Sequence, residues 1–360
     1  MQKNFCVSLG LIILLVVPAG SAATTPANNK DRTFSVMTRN MDAGSDFGYV
    51  LKVALNPDAT QLDVLLAVSN TYAEMLASNI PGRAQAIAHE IQTTLPSVIG
   101  MQEITALRTG PYGQAPDTVV VDGLKSLLDA LEEQGVHYKA IAVQTNASVD
   151  LPAFDASGNL IMVGLTDYDA VLARTDLPVS ELKISNIAMQ HFGVVLPFSV
   201  AGQTIPFLRG WISMDVKERG KSYKFVTTHL ETFNSDIQAA QANELINGPL
   251  ISDLPVVLAG DMNSDASQQS WENGPAILIF QAAGFTDIWS QLRPSIPGLT
   301  WPLFAEDPPG SATPYQRIDL ILTRGDGLKN SDIALTGLTP FNGVMGSDHA
   351  GVLGEFVLLP

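Results

Sequence analysis

Apolar residues along the chain fall into runs that predict many β-strands separated by a few helices. A run that is continuously apolar, or that alternates apolar with polar residues, is typical of a strand. Nine segments have one of these patterns: residues 33–38, 97–103, 138–144, 168–174, 205–216, 222–230, 254–260, 317–323 and 350–358. Because strands outnumber helices, we expect sheets that pack on each other and carry helices on their outer faces.

Amphipathic helices are predicted between several of these strands. Apolar residues keep to one helix face in "RAQAIAHEIQTTL", which begins at Arg83, and in "DGLKSLLDALEEQ", which begins at Asp122. In "SDIQAAQANELI", Ser235 and Gln238 have the spacing of a capping box. Residues 48–80 also have a helical pattern, interrupted by "NPDATQ", and we interpret them as an elaboration that follows the first strand.

The first residues predict a secretory signal sequence. Lys3 supplies the positive start, residues 5–17 the apolar stretch, and "SAA" at residues 21–23 the small-residue cleavage site. The alternative is an N-terminal membrane anchor, but the apolar stretch is shorter than the ~20 residues that span a bilayer. We therefore expect residues 1–23 to be removed and a bacterial protein to be secreted or periplasmic, with no transmembrane segment elsewhere.

Composition narrows the possible chemistry. Cys6 is the only cysteine and lies in the predicted signal, so we expect no disulfide, cysteine zinc site or thiol nucleophile in residues 24–360. The net charge of −16 argues against tight nonspecific binding of nucleic acid. It does not exclude a metal-dependent enzyme that acts on one phosphate, because a bound cation reverses the potential locally.

Polar residues cluster where predicted strands end. They are Asn40 in "TRNMDAG", Glu103 in "GMQEI", His229 and Glu231 in "TTHLET", Asp261 and Asn263 in "GDMNS", Asp319 in "RIDL", and Asp348 and His349 in "GSDHAG". Each alone has an ordinary structural explanation: Asn40 as a turn residue, His229 as a satisfied core histidine, Asp261 and Asn263 as turn formers. The clusters lie on both sides of the proline-rich residues 294–314. We therefore interpret that stretch as a long surface loop, and residues 24–360 as one domain.

Together these residue types favour one kind of chemistry. Oxygen ligands such as those of Asn40, Glu103 and Asp348 suit a magnesium-type ion. Two histidines and several carboxylates supply acid, base and orienting groups. The sequence contains no His-Glu-x-x-His helix, no Gly-x-Ser-x-Gly elbow and no Walker A loop. Of the reaction types considered, metal-assisted hydrolysis of a charged ester is the one that these residues favour.

The motifs "TRNMDAG", "IGMQEI", "TTHLET", "AGDMNSD", "QRIDLIL" and "GSDHAGV", in this order, resemble the endonuclease/exonuclease/phosphatase superfamily with its deoxyribonuclease-I-like fold. The resemblance runs from about residue 33 to residue 358. It implies an α/β (α+β) protein, a four-layer α/β/β/α sandwich of two packed mixed sheets covered by helices. The site is expected where the two sheets open at one end.

The resemblance also implies a divalent ion, Mg²⁺ or Mn²⁺. Glu103 is expected to bind this ion, with help from Asn40 and Asp348. An in-line displacement at phosphorus needs charge neutralised on the phosphoryl oxygens and a positioned nucleophile.

The remaining motif residues are implied to be catalytic. Asp261 would orient and deprotonate the attacking water, and Asn263 would hold the scissile phosphate. His229 and His349 would stabilise the pentavalent transition state, with the ring of His349 fixed by Asp319.

Two segments depart from the family pattern. Residues 44–82 are longer and more helical than the loop expected after the first strand. Residues 138–174 have no confident match, and only Asp169 and Arg174 are candidates for further phosphate contacts.

The substrate therefore stays open within a phosphoester hydrolase. We favour a lipid headgroup or small phosphodiester, for which residues 192–211 are either an apolar element that reaches a lipid surface or a buried β-hairpin. An extracellular nuclease is the alternative, although basic residues cluster only near Arg108 and in residues 216–224. The third hypothesis is a noncatalytic binding protein with the same fold. No obligate protein partner is evident.

Overall fold

Two mixed β-sheets stacked on each other form the centre of the molecule. The computed structural model describes residues 33–200, 203–306 and 309–359, so the predicted signal sequence lies outside the described residues. Sheet A contains, in spatial order, β16 (Leu328–Thr336), β17 (Gly351–Leu358), β1 (Thr33–Asn40), β2 (Val98–Pro111), β5 (Leu160–Arg174) and β4 (Tyr138–Phe154), with β3 (Thr118–Asp122) paired to β2. Sheet B contains β12 (Thr286–Asp287), β15 (Asp319–Arg324), β11 (Val256–Asp261), β10 (Lys221–His229), β9 (Gly210–Glu218) and β6 (Leu182–His191).

Helices and two short hairpins complete the described structure. The helices are α1 (Gly48–Ala54), α2 (Gln61–Ala77), α3 (Ile80–Thr94), α4 (Gly123–Glu133), α5 (Ser235–Asn247), α6 (Ala276–Ala282) and α7 (Ile288–Leu292). The hairpins pair β7 (Pro197–Val200) with β8 (Gln203–Pro206), and β13 (Phe304–Glu306) with β14 (Pro309–Ser311). No helix of the described residues is both long enough and apolar enough to cross a bilayer.

The central strands are buried on both faces, which explains their continuous apolar runs. Successive side chains point to opposite faces. Phe225 and Val257 accordingly belong to the core between the sheets, while the adjacent Val226 and Leu258 pack with α5 and α6. On the other side, α3 and α4 pack on the outer face of sheet A. The predicted four-layer α/β/β/α sandwich is confirmed.

Each of the nine predicted strand segments overlaps a strand, and the strands that the pattern did not reveal lie at sheet edges. In β6 and β3 most side chains are exposed, and those of β16 are mostly half-buried. An edge strand with one or both faces in solvent carries polar residues without a clean alternation. The sequence signal that identified the buried strands is therefore weak there.

The predicted capping box of α5 is wrong. Asn234 is the residue that caps this helix, because its side chain accepts hydrogen bonds from the backbone nitrogens of Asp236 and Ile237. The side chain of Gln238 instead donates to the carbonyl oxygens of Glu231 and Asn263. A capping box does form at α2, between Thr60 and Asp63. Gln238 therefore fixes two loops of sheet B and does not cap the helix.

The elaboration after β1 is helical, as predicted, and it has its own partner in the fold. Helix α2 packs against the extended β4–β5 hairpin through Val64, Val68, Leu151 and Val163, and α1 packs against this cluster. The pairing of β4 with β5 continues from Tyr138 and Arg174 to Phe154 and Leu160. The two departures from the family pattern thus pack on each other at the β4–β5 edge of sheet A.

Candidate active site

The predicted site residues meet at one end of the sandwich because of strand direction. Strands β1 and β2 run parallel, as do β10 and β11, so their carboxyl ends lie at the same edge of each sheet. Strand β15 runs antiparallel to β11 and pairs Asp319 with Asp261. All eight predicted residues lie at this end. Six line one cleft, namely Glu103, His229, Asp261, Asn263, Asp348 and His349, and Asn40 and Asp319 are buried behind them.

A β-bulge directs Glu103 into the cleft. The pairing of β2 with β5 shifts register between Met101 and Ile104, and Glu103 has a left-handed backbone with φ of 55°. Such a conformation costs on the order of 1–3 kcal/mol in a residue other than glycine and is concentrated at functional sites. The Glu103 carboxylate accepts hydrogen bonds at 2.9 Å from Nδ2 of Asn40 and at 3.0 Å from the backbone nitrogen of Ala43.

Asn40 ties the two sheets together at the site. Its Nδ2 donates to Glu103 of sheet A and, at 3.1 Å, to Oδ2 of Asp261 of sheet B. Its Oδ1 accepts from the backbone nitrogen of Asp42 at 2.7 Å, which fixes the orientation of the amide. Asn40 thus holds two carboxylates, and its role as a direct ligand of an ion stays a prediction.

Asp261 and Asn263 leave β11 together and enter the cleft. Oδ1 of Asp261 accepts from the backbone nitrogen of Asn263 at 2.9 Å, and Asn263 has a left-handed φ of 45°. Nδ2 of Asn263 donates to the carbonyl oxygen of Leu230 at 2.9 Å. Burial, followed by the negative charge of Asp319, raises the pKa of Asp261 to about 7. A buried carboxylate with this pKa suits a general base.

His349 is held by Asp319. Its Nδ1 lies 2.8 Å from Oδ2 of Asp319, and both side chains are buried. Burial would lower the pKa of His349, but the charges of Asp319 and Asp348 hold that pKa well above its ordinary value. His349 is therefore an imidazolium whose Nδ1–H donates to Asp319, which leaves Nε2–H for the cleft.

The pKa of His229 is shifted in the opposite direction to that of His349. The partner of His229 is Arg209, which no motif predicted. Nδ1 of His229 lies 2.6 Å from Nη1 of Arg209. Burial, followed by the charge of Arg209, lowers the pKa of His229 well below its ordinary value. Because guanidinium is only a donor, Nδ1 must accept, and Nε2 carries the hydrogen. Nε2 lies 3.5 Å from Oδ2 of Asp261 and 3.8 Å from Oε1 of Glu103.

The proline-rich stretch reaches the site and is not only a surface loop. Nε1 of Trp301 donates to Oδ2 of Asp348 at 2.7 Å. Oγ1 of Thr300 accepts from the backbone nitrogens of Ile318 and Asp319. Burial raises the pKa of Asp348 to about 7, against the opposing charge of His349. The loop therefore orients one carboxylate of the cleft and the start of β15.

The two candidates from the unmatched segment lie in different places. Asp169 is buried near the site, and neither of its oxygens has a hydrogen-bond partner among the described residues. Burial and the charge of Asp167 raise the pKa of Asp169 well above its ordinary value. Asp167 itself lines the cleft. Arg174 lies at the other end of β5 and pairs with Asp176, so it has no contact with the cleft.

Two buried arginines support the loops of the site without entering it. Nη2 of Arg39 pairs with Glu90 at 2.8 Å, and its Nη1 donates to the carbonyl oxygen of His349. Nη1 of Arg83 pairs with Asp42 at 2.6 Å. Arg39 lies within "TRNMDAG", but only the fold shows what Arg39 and Arg83 contact.

The donor set fits a magnesium-type ion better than zinc. Two groups of acids and histidines lie close enough to share an ion: Glu103, His229 and Asp261, and Asp261, Asp319 and His349. In both groups the histidine nitrogen bears hydrogen, at Nε2 of His229 and at Nδ1 of His349, so neither offers a lone pair there. Carboxylate oxygens remain, and these are the ligands that Mg²⁺ and Mn²⁺ prefer.

The cleft lining combines carboxylates with apolar side chains. Its volume is about 520 Å³, and seven carboxylate residues contribute to its lining: Asp42, Asp46, Glu103, Asp167, Glu231, Asp261 and Asp348. Arg209 is the one arginine or lysine among the described lining residues. The apolar lining residues include Phe47, Val50, Leu196 and Phe207.

The comparisons with known proteins agree with the fold. A family model described as "Endonuclease/Exonuclease/phosphatase family" matches residues 70–349. No curated protein matches the chain at a significant level.

Several solved structures share the fold at low sequence identity. A family protein from Leptotrichia buccalis has 17% identity and a TM-score of 0.54, covering 90% of this chain and 99% of its own. D. rerio TDP2 complexed with single strand DNA product has 16% identity and a TM-score of 0.52, covering 91% and 99%. A mannosyl-6-phosphatase from Bacteroides thetaiotaomicron has 16% identity and a TM-score of 0.51, covering 90% and 100%. These likenesses show the fold alone.

Proposed function

The chain belongs to the endonuclease/exonuclease/phosphatase family, and from that premise we propose that it is a metal-dependent phosphoester hydrolase. The observation that carries the proposal is one cluster of buried hydrogen bonds. In it, Asn40 joins Glu103 to Asp261, and Asp319 holds a charged His349. Such a cluster combines a base, a cationic group and ion-binding oxygens within one cleft.

The reaction proposed is attack of water on phosphorus. The water oxygen forms a bond to phosphorus as the ester oxygen leaves, and the water proton passes to Asp261. The amide nitrogen of Asn263 has two hydrogens, of which Leu230 takes one, so the second is available to a phosphoryl oxygen. Nε2–H of His229 and the imidazolium of His349 stabilise the negative charge that develops on the phosphoryl group.

Glu103 and Asp348 are the residues proposed to hold Mg²⁺ or Mn²⁺, with Asn40 fixing the carboxylate of Glu103. When bound, the ion neutralises charge on the phosphoryl oxygens. Addition of EDTA should abolish turnover, and Mg²⁺ or Mn²⁺ should restore it. Full activity in EDTA would contradict the proposal.

A small phosphoester or lipid headgroup is the substrate that we propose. A nuclease that follows a polyanion needs a basic groove, whereas carboxylates dominate this cleft and Arg209 is engaged by His229. The basic residues of the β9–β10 turn do not reach the site. Lys221 lies eight residues before His229 in β10, which is roughly 26 Å along the strand.

The nuclease alternative is separated by a hydrolysis panel with Mg²⁺. The substrates are DNA, RNA, sphingomyelin, phosphoinositides and 4-nitrophenyl phosphate esters. We expect turnover of a small or lipid ester and a weak salt dependence of KM. Turnover of DNA alone, with KM rising about 10³-fold or more between 50 and 200 mM salt, would support the nuclease. No turnover with either ion would support a noncatalytic binding protein.

Export of the protein is a further proposal that rests on residues 1–23. Intact-mass measurement of the protein recovered from periplasm and medium should give a mature start near Thr24. Retention of residues 1–20 in that material would contradict a cleaved signal sequence.

A further inference from the structure

An apolar cavity of about 60 Å³ lies beside the catalytic cleft, between α2 and the β4–β5 hairpin. We call it the inner cavity, and define it by Val68, Thr71 and Met75 of α2, Leu151 of β4 and Val163 of β5. No described lining residue carries a charged side chain. The hydroxyl of Thr71 is buried and has no hydrogen-bond partner among the described residues, so no polar network fills the space.

The inner cavity and the cleft share part of their apolar lining. Phe47, Val50 and Phe207 line both spaces. The rings of Phe47 and Phe207 meet edge to face, with centroids 6.1 Å apart. All three residues are partly exposed, so the wall that they form is reached from the cleft. The cleft therefore offers a ligand whose phosphate lies at Asp261 an apolar wall as well as carboxylates.

On this basis, and resting on the proposed function, we infer that the inner cavity receives the end of an alkyl or acyl chain carried by the phosphoester substrate. Cavities lined by apolar side chains stay dry and bind apolar groups. A cavity of about 150 Å³ admits benzene, or roughly 25 Å³ per carbon atom. At that ratio the inner cavity admits about two carbon atoms beyond Phe47, and the cleft holds the nearer part of the chain.

The chemistry of the lining selects against a polar occupant. A sugar phosphate would place hydroxyl groups against Val68, Leu151 and Val163, where only the Thr71 hydroxyl and the Tyr72 phenol are polar. A buried hydroxyl without a partner weakens binding, because it has lost its hydrogen bonds to water. A methylene group in the same place is favourable, and each one buried strengthens binding about fourfold.

The test is a series of monomeric alkyl 4-nitrophenyl phosphodiesters, from methyl to dodecyl, assayed below their micelle concentrations. For the wild type, kcat/KM should rise about fourfold per methylene over the chain lengths that reach the inner cavity, and then level off. A flat series for the wild type would overturn the inference. Hydrolysis of the methyl ester alone would still support the proposed function, so the two failures are distinguishable.

Two variants of the inner cavity locate the effect. Val163→Phe fills the space and should abolish the final rise while leaving the methyl ester rate unchanged. Thr71→Val is the matched control, because it keeps the shape of the side chain and removes only the unpartnered hydroxyl, and it should retain the rise. An unchanged series in Val163→Phe would overturn the inference.

A third variant covers the case in which Val163→Phe does not fold. Met75→Ala enlarges the cavity, and the chain length at which kcat/KM levels off should increase by about two carbon atoms. If no ester is turned over, thermal shifts with alkyl phosphates of the same lengths measure chain binding without catalysis. An unchanged plateau in Met75→Ala, or thermal shifts that do not depend on chain length, would overturn the inference.

Discussion

The catalytic end of the cleft and the inner cavity are neighbours that the chain builds in different ways. At the catalytic end, side chains from β1, β2, β10, β11 and β15 are each fixed by a directional hydrogen bond. The inner cavity is formed by apolar side chains of the α1–α2 elaboration and the β4–β5 hairpin, held by packing. The chemistry therefore depends on positions that tolerate little displacement, whereas the cavity can change in size without moving the reacting groups. Substrate choice and catalysis should be separable by mutation.

The largest effect should come from Asp261→Asn. The amide cannot accept the proton of the attacking water, so kcat should fall by about 10²–10⁴. Stability should be kept or raised, because the change replaces a buried carboxylate whose pKa is raised to about 7. The measurements are kcat on the methyl ester and thermal unfolding at pH 8. Val163→Phe should show the reverse pattern, with the methyl ester rate kept. A fully active Asp261→Asn would contradict the assignment of the base.

The pair of Asp319 and His349 should act as one unit. Asp319→Asn and His349→Ala should each lower kcat strongly, and the double variant should be little worse than the more damaging single one, because Asp319 acts through the ring of His349. The measurement is a double-mutant cycle on kcat with the methyl ester. Losses that multiply in the double variant would show that the two residues act independently.

Much of the fold was predictable from the sequence, and the limits have a physical cause. The buried central strand β11 has a continuous apolar run, and β10 alternates apolar with polar residues before its buried end. Edge strands such as β6 have mixed exposure and no clear period. The capping error at α5 arose because Asn234 and Ser235 are adjacent and both are good caps. Only the backbone shows that Asn234 is the cap.

The site was predictable where one motif carries one role. "GDMNS" ends β11 and "GSDHAG" precedes β17, and the fold brings His349 to Asp319, which pairs with Asp261. Arg209 was missed because an isolated arginine between two strands has no motif, and its partner His229 is 20 residues away. The bulge at Glu103 was missed because a register shift depends on two strands and cannot be read from one. The inner cavity has no motif at all.

Glu218 tests whether a raised carboxylate pKa is peculiar to the catalytic end. It lies between the sheets at the far end of β9, where Oγ of Ser97 donates to it, and burial raises its pKa to about 7. The folded state then binds the proton more tightly than the unfolded chain. The stabilising contribution is therefore complete at low pH and is lost as the pH rises through about 7.

The variant Glu218→Gln removes that titration. Between pH 5 and pH 8, its free energy of unfolding relative to the wild type should shift in favour of the variant by up to about 3 kcal/mol, at 1.36 kcal/mol per pKa unit. Denaturant unfolding at the two pH values measures the shift, and kcat should not change. A difference that is the same at both pH values would contradict a raised pKa for Glu218. Raised carboxylate pKa values would then be confined to the catalytic end.

The smallest effect is expected for Arg209→Met, which tests how the catalytic end is held. In the wild type, Arg209 donates to Nδ1 of His229, so the hydrogen lies on Nε2 and faces Asp261. Methionine keeps the length of the side chain but has no donor, so both tautomers of His229 become accessible. The kcat should fall roughly 10–100-fold, less than the full 10²–10⁴ that a positioned acid or base contributes.

The nitrogen chemical shifts of His229 report the tautomer directly and separate this role from a packing defect. The wild type should show hydrogen on Nε2, Arg209→Met a mixture, and Arg209→Lys a partial return of both the tautomer and the rate. The signals of His349 should not change, because Asp319 fixes that ring independently. A wild-type tautomer in Arg209→Met, with a lowered rate, would show that Arg209 acts on the substrate and not through His229. The length dependence of the alkyl series should survive in both Arg209 variants, since neither alters the inner cavity.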